Sequence, residues 1–481
     1  MPWREAVEPV RMQRVAVVAP RALLRPVLVA VAASGQVEID APVETARSVL
    51  PAARRLEGMA AEPPVVPVIA EQEVDVDRLV ELGRADLLAG EAELQTLAAD
   101  AVERDGVTAL TGWAVAKALP DLRAALSPTG GAMVALDPPP GVDPPTLLPG
   151  RSRLHEEFSP LVATYGTVPY ADIDPTVVAG IAYVAMFGMM FGDVGHGLLL
   201  VMAALILRSG RIQRLSQVTR AWPFVLGAGV SATVFGFLYG EFFGPTGVIE
   251  PLWLSPTEEP VTVLVAGIGV GAVLMAGAYA LGTVNRWREG GWPLALYAPS
   301  GVAGVAMFLG LGAIAFGAYV DGSSGHVLVL VGAAVWAVGL VLVFIGLLYG
   351  AGFSATGVFQ AVVELLDTVL QLGANLLSFA RLAAFGLAHA ALSGLVWQAT
   401  QGLADEGGLG WLWAAVVFVL GNAVAFTLEA LVAAVQALRL EYYELFSRVF
   451  QNQGRPFRPW HLPTVSMVSS GPAPDRSESP S

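Results

Sequence analysis

The chain has 481 residues, 55% hydrophobic and 14% charged, with a mean hydropathy of +0.61. This excludes an ordinary soluble domain and points to a polytopic membrane protein. The net charge of −14 argues against a nucleic-acid partner, and the absence of cysteine excludes disulfides, thiolate metal sites and cysteine nucleophiles.

The opening stretch, MPWREAVEPVRMQRV, is charged and lacks the apolar run of a signal peptide. Up to about residue 166 no apolar run is long enough to span a bilayer. Met12–Val18 reads as a strand, Arg21–Ala33 as a helix and Gly35–Asp40 as a second strand, a βαβ unit. Ala41–Pro67 is rich in Ala and Pro and weakly specified. Val74–Arg104, rich in Leu, Ala, Glu and Asp, reads as one or two helices. A second strand–helix–strand follows over Val107–Trp113, Lys117–Ala125 and Gly131–Leu136, and the Pro-rich Asp137–Pro149 reads as a linker. This third of the chain carries no phosphate loop, metal cluster or catalytic constellation, as expected of a docking domain.

Eight apolar runs then follow: Pro175–Met190, Asp193–Arg208, Ala221–Phe243, Val261–Leu281, Leu296–Val320, Val327–Tyr349, Leu366–Gln398 and Trp411–Phe446. Arg208, Arg211, Arg214 and Arg220 follow the second run, Arg286 and Arg288 the fourth, and Arg448, Arg455 and Arg458 the last. The alternate connections hold Glu250, Glu258, Glu259, Asp321, Asp405 and Glu406 and no basic residue. The positive-inside rule places both termini in the cytoplasm. The seventh run has 33 residues, about 50 Å of helix against a hydrocarbon core of about 30 Å, so it must tilt or project from the membrane. The predicted fold is an α-helical polytopic membrane protein with about eight transmembrane helices, the last two long and tilted, and a small N-terminal cytosolic α/β domain. Its parts are a docking domain over 1–166, a membrane domain over 167–447 and a cytosolic tail over 448–481, disordered at its end.

Charges interrupt the last two runs. Arg381 sits near the middle of the seventh, where even a mild insertion scale charges about 2.5–3.5 kcal/mol. Ser378 lies three residues before it on the same face, and His389 eight residues after it. In the eighth run Glu429 and Gln436 are seven apart, with Arg439 three further on. Two readings stay open for this cluster: helix–helix glue with Arg439 snorkelling to the interface, or an ion pathway. Asp193 and His196 in FGDVGHG are read as structural. Glu241 lies beside an acidic loop and is a candidate for an aqueous entrance. Glu364 and Asp367 are read as a solvated first helical turn.

In order along the chain, FSPLVATYGTVPYADIDPT, MFGMMFGDVGHGLLL, FGFLYGEFFG, ELLDTVLQLGANLLSFARLAAFGLAHA and LEALVAAVQALRLEYYELFSRVF resemble subunit a, called subunit I in prokaryotes, of the rotary V/A-type ATPases. The resemblance implies that Arg381 is the stator arginine facing a rotor ring, with Arg439 its companion. It implies that His389, Glu429 and Gln436 line the ion path, with Ser378 beside Arg381 and Glu241 on the distal side. The implied partners are a ring of small membrane subunits bearing a carboxylate, peripheral-stalk subunits docking on residues 1–166, membrane lipid and the translocated ion. That ion is read as H⁺ from the His and carboxylate relays, with Na⁺ the alternative. No cofactor and no metal ligand set is expected, and nucleotide chemistry belongs to other subunits. The cytosolic part is shorter than the dumbbell usual in that family, which implies a contracted shaft. The alternatives are a stand-alone secondary ion transporter with a cytosolic regulatory domain, and a membrane scaffold.

Overall fold

The structure is a computed structural model that describes residues 8–40, 50–59, 65–148, 158, 162, 165–210, 221–320, 322–450 and 454–465. It forms two compact units, Val10–Leu147 with Arg455–Ser481, and Met1–Pro9 with Leu148–Gly454. Arg211, Arg214, Arg220, Asp321 and the chain beyond Val465, all used in the sequence reading, lie outside the described residues.

In the first unit, β1 (Met12–Pro20), α1 (Leu24–Ser34) and β2 (Val37–Ile39) follow one another as expected. The strands do not pair, however. After α2 (Pro51–Gly58), β3 (Ile69–Ala70), α3 (Val76–Glu81), α4 (Ala85–Asp100) and β4 (Val102–Arg104) comes β5 (Val107–Val115), which inserts between them. With α5 (Leu119–Leu126) and β6 (Ala132–Leu136) the sheet order becomes β2-β5-β1-β6, every pairing antiparallel. The βαβ reading is thereby corrected to a split βαβ arrangement. Val15, Val17 and Ala19 of β1 alternate inward against Val27 and Val31 of α1. Gly112 lets β2 close on β5, since a Cβ there would lie 2.3 Å from the Glu38 carbonyl oxygen.

The sequence predicts a separate tail after the last helix. Its described part instead completes this unit: Trp460 N–H donates to the Val37 carbonyl at 2.8 Å, and β7 (Thr464–Val465) pairs parallel with β3. The predicted linker also ends in this network, with Thr146 N–H donating to the Arg455 carbonyl at 2.7 Å.

The second unit is helical. Its helices are α6 (Thr176–Met190), α7 (Val194–Ser209), α8 (Trp222–Tyr239), α9 (Pro260–Tyr297), α10 (Val302–Tyr319), α11 (Ser323–Ala351), α12 (Ala355–Ser378), α13 (Ala380–Asp405) and α14 (Gly410–Leu440). A π-helix, Glu441–Phe446, and a last turn, Ser447–Val449, continue α14. Six stretches are long and apolar enough to cross a bilayer: α8, α9, α10, α11, the 51-residue Ala355–Asp405 and the 40-residue Gly410–Val449. This is a polytopic membrane protein. The first two predicted spans are apolar helices of 15 and 16 residues, just under the usual spanning length of about 17–25.

Three boundaries move. The predicted fourth span ended at Leu281, but α9 runs to Tyr297 with a kink at Gly290 and Gly291, the latter at φ +70°, before Pro293. Arg286, read as a loop charge, is 2% exposed and pairs with Glu289 at 2.5 Å. Arg288 donates to the Ala171 carbonyl at 2.6 Å and to Glu8 at 2.8 Å, while Asn285 accepts from Ile173 N–H at 3.0 Å. These bonds fix the segment entering α6. Second, α12 starts at Ala355, capped by Ser354 accepting from Gly357 N–H at 3.1 Å. Glu364 and Asp367 are therefore mid-helix, bonded four residues away to Gln360 and Gln371 at 2.8 and 2.6 Å, and not in a first turn. Third, the predicted seventh span is two helices divided at Phe379, where Phe379 N–H reaches the Leu376 carbonyl at 3.2 Å and Leu382 N–H that of Phe379 at 2.9 Å. These three-residue bonds tighten the helix locally.

Candidate functional site

The α6–α7 junction is the turn Phe191–Gly192–Asp193. Asp193 caps α7 by accepting from His196 N–H at 2.8 Å, and its other oxygen accepts from Gly244 N–H at 2.8 Å. Val194 N–H donates to the Glu241 carbonyl at 3.0 Å. One carboxylate and one backbone bond thus bind the start of α7 to the loop leaving α8. Phe243 in that loop has φ +51°, rare for a bulky residue, and its ring meets the His196 ring edge-on at 5.3 Å.

His389 of α13 enters the same place. Its Nδ1 is hydrogen-bonded to the Glu429 carboxylate on α14, and its Nε2 lies 4.0 Å from Glu241 Oε2. The His389 and His196 ring centroids are 5.5 Å apart, and Phe191 packs against both at 5.0 and 5.7 Å. His196, Asp193, His389 and Glu241 are all buried. Both His196 ring nitrogens, His389 Nε2 and Glu241 Oε2 have no hydrogen-bond partner among the described residues. A buried polar atom left so costs about 1–3 kcal/mol, and four in one locus mark a place built for something other than packing.

A second grouping lies along the same two helices. On α9, a Cβ at Gly271 would come within 2.2 Å of Phe379, and one at Gly267 within 3.1 Å of Ala383. These small residues let α9 and α13 approach closely. Arg381 lies two residues from both Phe379 and Ala383, about 200° round the helix, and so faces away from α9. Glu444, in the π-helix, lies near the Ser378 hydroxyl and within the field of the Arg381 and Arg439 charges, and its Oε2 has no hydrogen-bond partner among the described residues. Glu444 is 5% exposed, Arg381 is half-buried and Arg439 exposed. Arg381 Nη1 and Gln436 Oε1 have no partner among the described residues.

The model of the V-type ATPase 116 kDa subunit family matches residues 101–262. The A-type ATP synthase subunit I of Archaeoglobus fulgidus is 31% identical over 401 residues, covering 73% of this chain and 58% of the relative. That of Pyrococcus horikoshii is 27% identical over 315 residues, covering 63% and 45%. The chain belongs to the V-type ATPase 116 kDa subunit family. It spans about half the length of the curated relatives it matches.

In this family member the seven residues singled out from sequence fall into two sets and one remainder. Glu241 and Glu429 flank His389; Ser378, Arg381 and Arg439 lie in the neighbourhood of Glu444, and Gln436 lies on α14 between the two. Sequence reasoning missed two members. Asp193 does have the structural role assigned to it, but His196 stacks into the His389 group. Glu444 was overlooked although it is an acidic residue in an apolar run, because a helix of ordinary pitch turns it away from Arg439. The wider π-helical turn changes that register.

Proposed function

We propose that this chain is the membrane stator subunit of a rotary V/A-type ATPase, with eight membrane-crossing helices, both termini cytoplasmic and residues 1–166 the docking region for peripheral-stalk subunits. The observation that carries the reading is the placement of Arg381 and His389 on one helix, α13. The first lies on the face of α13 turned from α9, and the second is buried between two carboxylates. The name of the relatives, A-type ATP synthase subunit I, supports it.

In this reading a carboxylate on each rotor subunit arrives neutral, carrying its proton. The fixed charge of Arg381 favours the ionised form, so the proton leaves into one half-channel. Glu241, His389 and Glu429 form a relay for the other, in which a histidine bonded to one carboxylate takes up or gives its proton on the side of the second. Arg381 also repels a proton crossing directly between the half-channels. Arginine suits this task because its charge survives desolvation where lysine would lose its own. The Glu444 carboxyl lies within the field of both arginines.

The test is ATP-driven acidification by the purified complex in vesicles, with and without sodium and an uncoupler. Arg381→Ala abolishes pumping with subunit assembly intact. Normal pumping by that variant overturns the assignment, and failure to co-purify with a ring of small hairpin subunits favours a stand-alone transporter.

A further inference from the structure

The group around His196 has the donor set of a metal site. Asp193, His196 and His389 each offer one ligand atom, all within 4.8 Å of one another and all buried. His196 Nδ1 stands 3.7 Å from Asp193 Oδ1, and His389 Nε2 stands 4.0 Å from Glu241 Oε2. Tetrahedral ligands with bonds of about 2.0–2.2 Å lie about 3.4 Å apart, so small side-chain rotations close the shell. The nitrogens of His196, the Nε2 of His389 and the Oε2 of Glu241 carry no other hydrogen bond among the described residues.

The surroundings fit as well. Glu429 holds Nδ1–H of His389, leaving the Nε2 lone pair aimed into the group, the carboxylate–histidine arrangement that orients metal ligands. Two backbone N–H groups, of His196 and Gly244, fix the Asp193 carboxylate. Phe191 and Phe243 wall the site with apolar rings.

We propose that His196, His389, Asp193 and Glu241 form a binding site for one divalent transition-metal ion of the Zn²⁺ class. Two imidazoles and two carboxylates suit zinc and disfavour Mg²⁺ and Ca²⁺, which take oxygen ligands. Binding itself is independent of the transport reading. Its consequence rests on that reading: an ion on His389 Nε2 occupies the nitrogen that would carry the proton, so zinc blocks the path.

The experiment uses the full chain in detergent, stripped with a chelator and dialysed against micromolar ZnCl₂, with zinc content and zinc-edge X-ray absorption as readouts. The expected result is one equivalent of zinc with imidazole scattering and bonds of about 2.0–2.1 Å. His196→Gln and His389→Gln each remove it, and Glu429→Gln weakens it by about ten- to hundredfold. Circular dichroism reports whether each variant folds. Should one not fold, the absorption spectrum of the unaltered chain decides alone. No bound zinc, or zinc without imidazole ligands, overturns the site and leaves the transport reading standing. Zinc bound as expected, with pumping by the assembled complex unaffected, keeps the site and removes His389 from the proton path.

Discussion

His389 and Glu429, 40 residues apart on neighbouring helices, are joined by a hydrogen bond from the imidazole Nδ1 to the carboxylate. The bond sets which face of the imidazole is open. Glu429→Gln keeps an acceptor for Nδ1–H but removes the charge that supports a histidinium. A charge-assisted hydrogen bond contributes about 1.5–3 kcal/mol, so ATP-driven proton transport should fall about ten- to hundredfold. Proton flux and its pH profile in vesicles measure this; an unchanged rate and profile reduce Glu429 to helix glue.

Arg439, like Arg381, acts on the Glu444 carboxyl through its charge, but it is exposed rather than half-buried. Arg439→Ala should reduce pumping without abolishing it, a milder loss than Arg381→Ala. Equal losses in the same acidification assay would contradict the ranking.

Glu444 is buried within the field of two arginines, so its neutralisation removes a negative charge from beside both. Glu444→Gln should lower stability by about 1–3 kcal/mol. A double-mutant cycle with Arg381→Ala, read by thermal unfolding in detergent, should show a coupling above about 0.5 kcal/mol. Strict additivity would remove the pairing.

The close approach of α9 to α13 depends on Gly271, where an added Cβ meets Cβ and Cγ of Phe379 at 2.3 and 2.2 Å. Gly271→Ala should cost about 1–3 kcal/mol through overpacking and displace the stretch that carries Arg381. Phe379→Ala in the same chain should restore part of the loss. A melting temperature equal to that of the unaltered protein sinks the claim.

Asp172 precedes α6 with its carboxyl fully buried beside Glu289. Burial first, and the neighbouring carboxyl second, push it up from 3.8 to about 8. The folded chain therefore keeps a proton that the unfolded chain loses above pH 4. Stability from this group is fully present at low pH, falls as pH rises from about 4 to about 8, and is flat beyond. Melting temperatures at pH 5, 7 and 9 should show the decline, and Asp172→Asn should flatten it.

Much of this was legible in the chain, for identifiable reasons. Apolar runs such as Val302–Tyr319 and Ser323–Ala351 declare helices because no water is present to satisfy their backbone groups otherwise. The strand–helix–strand segments at Met12–Ile39 and Val107–Leu136 declare themselves by local period. The insertion of β5 between β1 and β2 was not legible, because strand pairing is a choice among distant edges. The division at Phe379 was equally hidden among residues that all favour helix. The kink at Gly290–Gly291 is signalled by two glycines and Pro293, although the predicted fourth span stops short of it.

By itself, the sequence determined that this is a polytopic membrane protein and that charges sit where apolar surroundings make them costly, since both follow from local composition and solvation. The tertiary structure alone decided which of those charges meet. Asp193, His196, Glu241, His389 and Glu429 come from three helices, the turn before α7 and the loop after α8, and Glu444 is brought near the charge of Arg381 on a turn of altered pitch. Spacing along one helix fixes a face, but only the packing of several helices fixes a distance.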